Sequence, residues 1–212
     1  MATVIDDTQL RLLDAAGQVF AERGFKAGTI RQICDRAGVN LAAVNYYFRD
    51  KERLYAEAVK HACRGRIEQV PLPEWPADMP AVERLRSFIH VALERMIGEG
   101  KAWHTQLLLR ELTQPTAACA EWVSEYIRPM SDVLQSILAE LLPPDTPVLK
   151  RYLVAFSIVG QCFHYKVNRP IIEQLLGSEQ ATKLDRREIA NHIADFTLAA
   201  LGLARPLSRR QP

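Results

Sequence analysis

Residues 29–51 read TIRQICDRAGVNLAAVNYYFRDK, and this stretch decides the fold. Ile30, Ile33 and Ala37 give a short helix its apolar side, and Thr29 stands where an N-cap would. Gly38-Val39 makes a tight turn, Asn40 supplies the next cap, and a second helix runs from Leu41 to about Phe48. Asp50 caps a longer helix that begins near Lys51. On the amino-terminal side, Leu10, Leu13, Gly17 and Phe20 recur at three- and four-residue steps between Thr8 and Arg23, which predicts an amphipathic helix. Gly24 is expected to end that helix as a left-handed C-cap.

A supporting helix followed by two short helices joined through a glycine turn is a helix-turn-helix, whose second helix enters the DNA major groove. Val44 and Phe48, four apart, are then predicted to point inward onto Leu13, Ile30 and Ile33. Leu41, Ala42 and Asn45 fall on the outward side, where base edges would lie. Small apolar residues allow close approach, and the Asn45 amide can pair with adenine. Tyr46 and Tyr47 offer hydroxyls to phosphate oxygens, and Lys51 stands at a helix start, where backbone N–H groups also favour a phosphate. Thr29 can cap its helix and still reach a phosphate, while Arg31 is long enough for a base edge or the backbone. The expected contacts divide into positioning (Thr29, Tyr46, Tyr47, Lys51) and readout (Arg31, Leu41, Ala42, Asn45). A purely structural motif with the tyrosine rings half-buried is the alternative. The agreement of supporting helix, turn glycine, caps and Lys51 favours DNA.

The run from Phe20-Ala-Glu-Arg-Gly-Phe, through TIRQICDRAGV, to VNYYFRDKERLY resembles the DNA-binding domain of the TetR/AcrR family of bacterial transcriptional regulators. The likeness covers roughly residues 8–60 and rests on a T-x-R-x-I-x-x-x-A-G-V core, an aromatic run ending in Phe, and the following Lys. The family more often has Tyr at the position of Asn45 and His at that of Tyr47, departures that bear on which operator is read. The resemblance implies phosphate contacts at Thr29, Tyr46 and Lys51 and base-facing positions at Arg31, Leu41, Ala42 and Asn45. LLLRELTQPTAA (107–118) and VGQCFHYKVNRPI (159–171) are similar to a subfamily with its own carboxy-terminal domain, which implies control of nearby transport or stress genes.

The whole chain is consistent with this. Its 212 residues allow one large domain or two modest ones, and 48% hydrophobic with 25% charged residues is ordinary for a folded protein. A net charge of +2 means that any polyanion must be met by a local patch rather than a global field. The start lacks a signal-peptide pattern and no segment is apolar enough to span a bilayer, so a cytoplasmic location without membrane contact is expected. Cys34, Cys63, Cys119 and Cys162 are scattered without C-x-x-C or zinc spacing and read as buried, reduced thiols, with redox sensing by one of them left open. No metal and no cofactor is expected.

The proline cluster PLPEWPADMP (71–80) reads as a linker. Helical periodicity continues over 81–97, 102–113, 116–142, 147–168 and 186–204, with Pro129 expected to kink the third of these. The fold class is therefore all-α. A helix-turn-helix domain at 1–55 precedes a helical effector-binding and dimerisation domain at 56–212. The tail ARPLSRRQP (204–212) is basic and reads as solvated.

Leu149, Leu153, Phe156, Gly160, Phe163 and Val167 repeat with four-three spacing, as do Ile189, Ile193, Phe196, Ala200 and Leu203. Such stripes suit a bundle seam between subunits or the core of a monomer. The family resemblance implies the former: a four-helix homodimer interface that would let two subunits read a palindromic operator in double-stranded DNA. It also implies a cavity for a small organic effector. Candidate lining residues are Met96, Trp103, His104, Leu107, Arg110, Glu111, Trp122, Tyr126, Gln161, His164 and Tyr165. Core packing for the two tryptophans and ion pairing for Arg110 and Glu111 are the plainer alternatives.

The pattern points to a ligand-released repressor. An activator or broad regulator of the same fold is indistinguishable by sequence, and a helical adaptor that no longer reads DNA is a further alternative. An enzyme finds no support: G-x-S-x-G, H-E-x-x-H, G-x-G-x-x-G and the phosphate-cradling loop are all missing.

Overall fold

The computed structural model describes residues 6–98 and 100–203, and the basic tail lies outside them. The described residues are helical, without strands. Helix α1 (Asp7–Ala27) is capped by Asp6, whose carboxylate accepts from the Gln9 amide at 2.9 Å. Gly24 has the expected positive φ of 78°, but its ψ of 169° bends the helix instead of ending it, and the chain winds on to Ala27. Helix α2 (Ile30–Ala37) opens with a reciprocal capping box between Thr29 and Gln32 and closes on Gly38 in the left-handed conformation. Helix α3 (Leu41–Phe48) is capped by Asn40, and α4 (Lys51–Gln69) by Asp50, which accepts from the Arg53 amide at 2.7 Å.

Helices α5 (Ala81–Ile97), α6 (Ala102–Thr113), α9 (Val148–Val167) and α12 (Arg186–Ala200) lie where periodicity puts them, α12 ending short of 204. The single helix expected over 116–142 is instead α7 (Ala118–Trp122), a π-helical turn (Val123–Ile127) and α8 (Arg128–Leu141). Arg128 donates across the wide turn to the Val123 carbonyl. Pro129 follows at once; it has no N–H and crowds the carbonyl four residues back, and the widened turn accommodates both defects. Two short helices, α10 (Arg169–Leu176) and α11 (Ser178–Lys183), are additions to the expected set.

The chain packs as two compact units. The first comprises Met1–Gln69 with Glu99–Pro129, and the second Val70–Gly98 with Met130–Pro212. In the first, α1 packs on α2, α4 and α6, and α4 also meets α6 and α7. Its core runs from Leu12, Val19 and Phe20 through Ile33, Val44 and Phe48 to Leu54, Val59 and Leu107. Thus α6 and α7, distant in sequence, share a core with the helix-turn-helix, and α4 runs through residue 55 without a break in packing. In the second unit, α5 packs on α9 and α12, and Leu134, Ile137 and Leu138 of α8 complete the core. The proline linker is pinned there, with Leu72 and Trp75 against the core and the Trp75 indole donating to Ser87 at 3.0 Å.

Candidate nucleic-acid interface

The inward side of the helix-turn-helix is sealed as the spacing predicts: Ile33, Val44 and Phe48 are fully buried, and Ile30 packs against the same core. Burial of side chains this size stabilises by about 1.5–3 kcal/mol each, enough to hold two eight-residue helices too short to persist alone. The cost falls on the opposite side, where apolar and polar groups stand open together. Leu41 is 57% and Tyr46 81% exposed, and Ala42 and Asn45 are exposed beside them. The Asn45 side chain has no hydrogen-bond partner among the described residues, so both halves of its amide are available. Arg31 is exposed without an ion pair among the described residues. The Thr29 hydroxyl accepts from the Gln32 amide at 3.3 Å, which leaves its own proton free to donate outward.

Two expected phosphate contacts are otherwise engaged. Tyr47 is half-buried, its ring edge-on to Tyr46 at 4.9 Å, and its hydroxyl donates to Asp6. That bond raises the Tyr47 pKa and lowers that of Asp6. In the chain without DNA, Tyr47 is therefore a tie between α3 and the start of α1, and its hydroxyl would have to leave Asp6 to donate to a phosphate. Lys51 donates to the Lys26 carbonyl at 3.3 Å and lies 4.8 Å over the Phe25 ring. Two of its three N–H groups remain open.

Arg49, which sequence reasoning did not select, occupies a strained γ-turn. Its φ is 68° and ψ −53°, and the Asp50 amide donates to the Phe48 carbonyl across it at 2.8 Å. It is exposed and its guanidinium has no partner among the described residues. No local signal announces this conformation, since a left-handed position normally selects Gly or Asn.

The residues expected to line an effector cavity divide between the units. Trp103, His104, Leu107, Arg110, Glu111, Trp122 and Tyr126 belong to the first, and Met96, Gln161, His164 and Tyr165 to the second. Trp103, Leu107 and Trp122 are buried core residues, which for the two tryptophans is the plainer alternative. Trp103 lies flat against the bare backbone of Gly17, and the Trp122 indole donates to Cys63 at 3.1 Å. The His104 ring sits edge-on to Trp103 at 4.1 Å with both nitrogens buried and without a hydrogen-bond partner among the described residues, and burial lowers its pKa to about 4. Glu111 is fully buried and accepts from the Tyr55 hydroxyl at 2.7 Å and the Thr116 amide at 2.9 Å. Arg110 donates to the carbonyls of Ala21 and Glu22 and borders a surface depression of about 460 Å³ shared with Gln106 and Leu109. In the second unit, Met96 and Tyr165 pack against the core, the Gln161 amide turns back to its own helix, and His164 is exposed.

The apolar stripes behave differently on the two helices. On α9, Leu149 is 70% and Phe156 63% exposed, with Leu153 and Gly160 also exposed and Phe163 half-buried. On α12, Phe196, Ala200 and Leu203 near its end are exposed, but Ile189 and Ile193 are buried within their own unit. Those two are corrected from interface to core, because the buried face of α12 is Ile189, Ala190, Ile193, Ala194, Thr197 and Leu198.

The four thiols are free, Cys34 and Cys162 buried and the others half-buried. Burial pushes Cys34 up, Cys63 to about 11 and Cys162 to about 12, the opposite of a reactive thiolate. Among the described residues, no helix is long and apolar enough to cross a membrane.

Comparison with known proteins agrees with this geometry. Residues 12–58 match the family described as bacterial regulatory proteins, tetR family. Residues 81–201 match the HTH-type transcriptional dual regulator CecR, C-terminal domain. The chain is 26% identical over 204 residues to the HTH-type transcriptional repressor NicS of Pseudomonas putida, covering 92% of this chain and 93% of that protein. It is also 26% identical over 211 residues to the HTH-type transcriptional dual regulator CecR of Shigella flexneri, with the same coverage of 92% and 93%. Among solved structures, a tetR-family regulatory protein from Rhodococcus RHA1 aligns with a TM-score of 0.69 at 19% identity, covering 94% of this chain and 100% of that one. The regulator FadR from Bacillus subtilis, solved in complex with stearoyl-CoA, aligns with a TM-score of 0.58 at 20% identity, covering 90% and 97%. With a helix-turn-helix at its amino-terminal end and a CecR-type domain over residues 81–201 of 212, the chain belongs to the tetR family of bacterial regulatory proteins, non-enzymatic regulators of transcription that bind DNA.

Proposed function

We propose that the protein is a homodimeric repressor, working in the cytoplasm, that binds a palindromic operator and leaves it when a small organic molecule binds. The observation that carries the dimer is the open apolar side of α9 and α12, where Leu149, Leu153, Phe156 and Phe196 are all more than half exposed. Contiguous apolar surface on this scale marks an interface, and two-fold pairing would give the two reading heads the symmetry of a palindrome. Leu149, Leu153, Phe156, Gly160 and Phe163 would meet Phe196, Ala200 and Leu203, with Gly160 and Ala200 allowing close approach. On DNA, α3 would read bases through Leu41, Ala42 and Asn45, joined by Arg31, while Thr29, Tyr46 and Lys51 hold phosphates.

An organic effector is supported by the chemistry of the neighbouring fold, since FadR was solved with stearoyl-CoA. Release needs little energy: a ligand preferring the DNA-incompetent state by about 1.4 kcal/mol weakens binding tenfold. The likeness to a dual regulator favours a second reading, in which the same protein also activates at promoters where its site lies upstream.

Phe156→Glu and Leu153→Glu test the dimer. Sedimentation should show a monomer with unchanged helical content and an operator affinity reduced at least tenfold. A variant that stays dimeric and binds like the wild type would contradict the proposed interface.

A further inference from the structure

We propose that Arg110 is a positioning residue for DNA binding, fixing the direction in which the helix-turn-helix leaves α1. The inference rests on α3 being the reading helix. Gly24 is non-helical, which disturbs the helical bonding of the turn before it and opens its carbonyls to donors from outside the helix. Arg110, on α6, supplies the donors: Nε to the Ala21 carbonyl at 2.6 Å and Nη2 to the Glu22 carbonyl at 3.0 Å. A side chain at Gly24 would stand 3.4 Å from Nη1, so the bend and the guanidinium fit each other.

Residue 22 is also where α2 is held. Its carboxylate takes both ends of the Arg36 guanidinium, at 2.7 and 3.0 Å, one of the stronger ion-pair geometries. Beyond the bend, Lys51 donates to the Lys26 carbonyl, and the Phe25 ring meets Tyr55 and Phe20. The bend therefore sits between two carbonyl clamps, Arg110 before it and Lys51 after it, and α2 and α3 follow directly. Arg110 borders an open depression, where a guanidinium could remain hydrated. Its donors are nonetheless aimed at backbone, which is what a positioning role requires and what packing alone does not. α6 lies outside the helix-turn-helix in sequence, and Arg110 is the α6 side chain that reaches the carbonyls at the bend.

The test uses the full chain, a duplex that the wild-type protein selects from a random-sequence pool, and random duplex as competitor. Arg110→Met keeps the length and removes the donors; Arg110→Lys keeps the charge but cannot span two carbonyls in a fork. At temperatures well below unfolding, Arg110→Met should lose at least fivefold in affinity for the selected duplex, with random-duplex affinity and salt slope unchanged, and Arg110→Lys should fall between. A lower Tm with wild-type affinity for the selected duplex overturns the proposal, because the role is then structural only. Parallel loss on both duplexes with a smaller salt slope also overturns it, because Arg110 would then be a phosphate contact. If Arg110→Met does not fold, Arg110→Lys carries the same comparison. Failure of the wild type to select any duplex would instead overturn the reading of α3.

Discussion

The hydroxyl of Tyr47 donates to the carboxylate of Asp6, the same side chain that caps the first helix. The pair is 41 residues apart in sequence and ties the reading helix to the start of its supporting helix. It also leaves a negative charge beside a surface that must meet phosphates. Asp6→Asn keeps an acceptor for the tyrosine and for the cap while removing the charge. Affinity for any duplex should rise a few-fold at low salt, with the gain fading as salt screens it. Tyr47→Phe should cost far less than Tyr46→Phe in an anisotropy titration. Equal losses would mean that Tyr47 leaves Asp6 to hold a phosphate.

Arg49 predicts a trade between stability and binding. Its left-handed γ-turn costs about 1–3 kcal/mol, whereas glycine there adds only about 0.5–1 kcal/mol of unfolded-chain entropy. Arg49→Gly should therefore raise Tm, and the loss of an exposed cation should weaken binding to selected and random duplexes alike. A fall in Tm would show that the side chain, not the backbone, dominates at this position.

The helix-turn-helix was legible because its signals are local. Thr29, Gly38, Asn40 and Asp50 each act within three or four residues, and each does so in the structure. The ties of Asp6 to Tyr47 and of Arg110 to residues 21 and 22 join distant segments, and nothing in residue spacing encodes them. The stripe on α12 misled for another reason. Apolar spacing gives the line of a face but not which neighbour covers it, so spacing alone groups Ile189 and Ile193 with Phe196 across the edge of the buried side. Helices α10 and α11 are too short for periodicity to separate from a loop.

Gly17 predicts a packing effect. A Cβ there would lie 2.0 Å from a ring carbon of Trp103, which forces one of the two to move. Gly17→Ala should destabilise by about 1–3 kcal/mol, the usual range for overpacking. Combining it with Trp103→Leu should recover part of that loss, read as non-additivity in denaturant unfolding. Strict additivity would mean that the two do not touch.

His104 predicts the acid limb of stability. Its pKa falls from 6.5 to about 4 through burial, then through the nearby positive charges of His61, Lys101 and Arg66, with Asp14 opposing. Between those values the unfolded chain binds the extra proton, so stability is complete above 6.5 and declines as pH falls toward about 4. His104→Leu should remove this part of the decline, and the Tm difference between variant and wild type should grow in the variant's favour over that range. Parallel curves would contradict it.

The most direct test of the whole account is a binding selection from a random-sequence duplex pool. A dimeric, sequence-reading protein should enrich an inverted repeat with half-sites centred about one helical turn, roughly 34–36 Å, or a multiple of it apart. No enrichment over the starting pool at low salt would contradict the account.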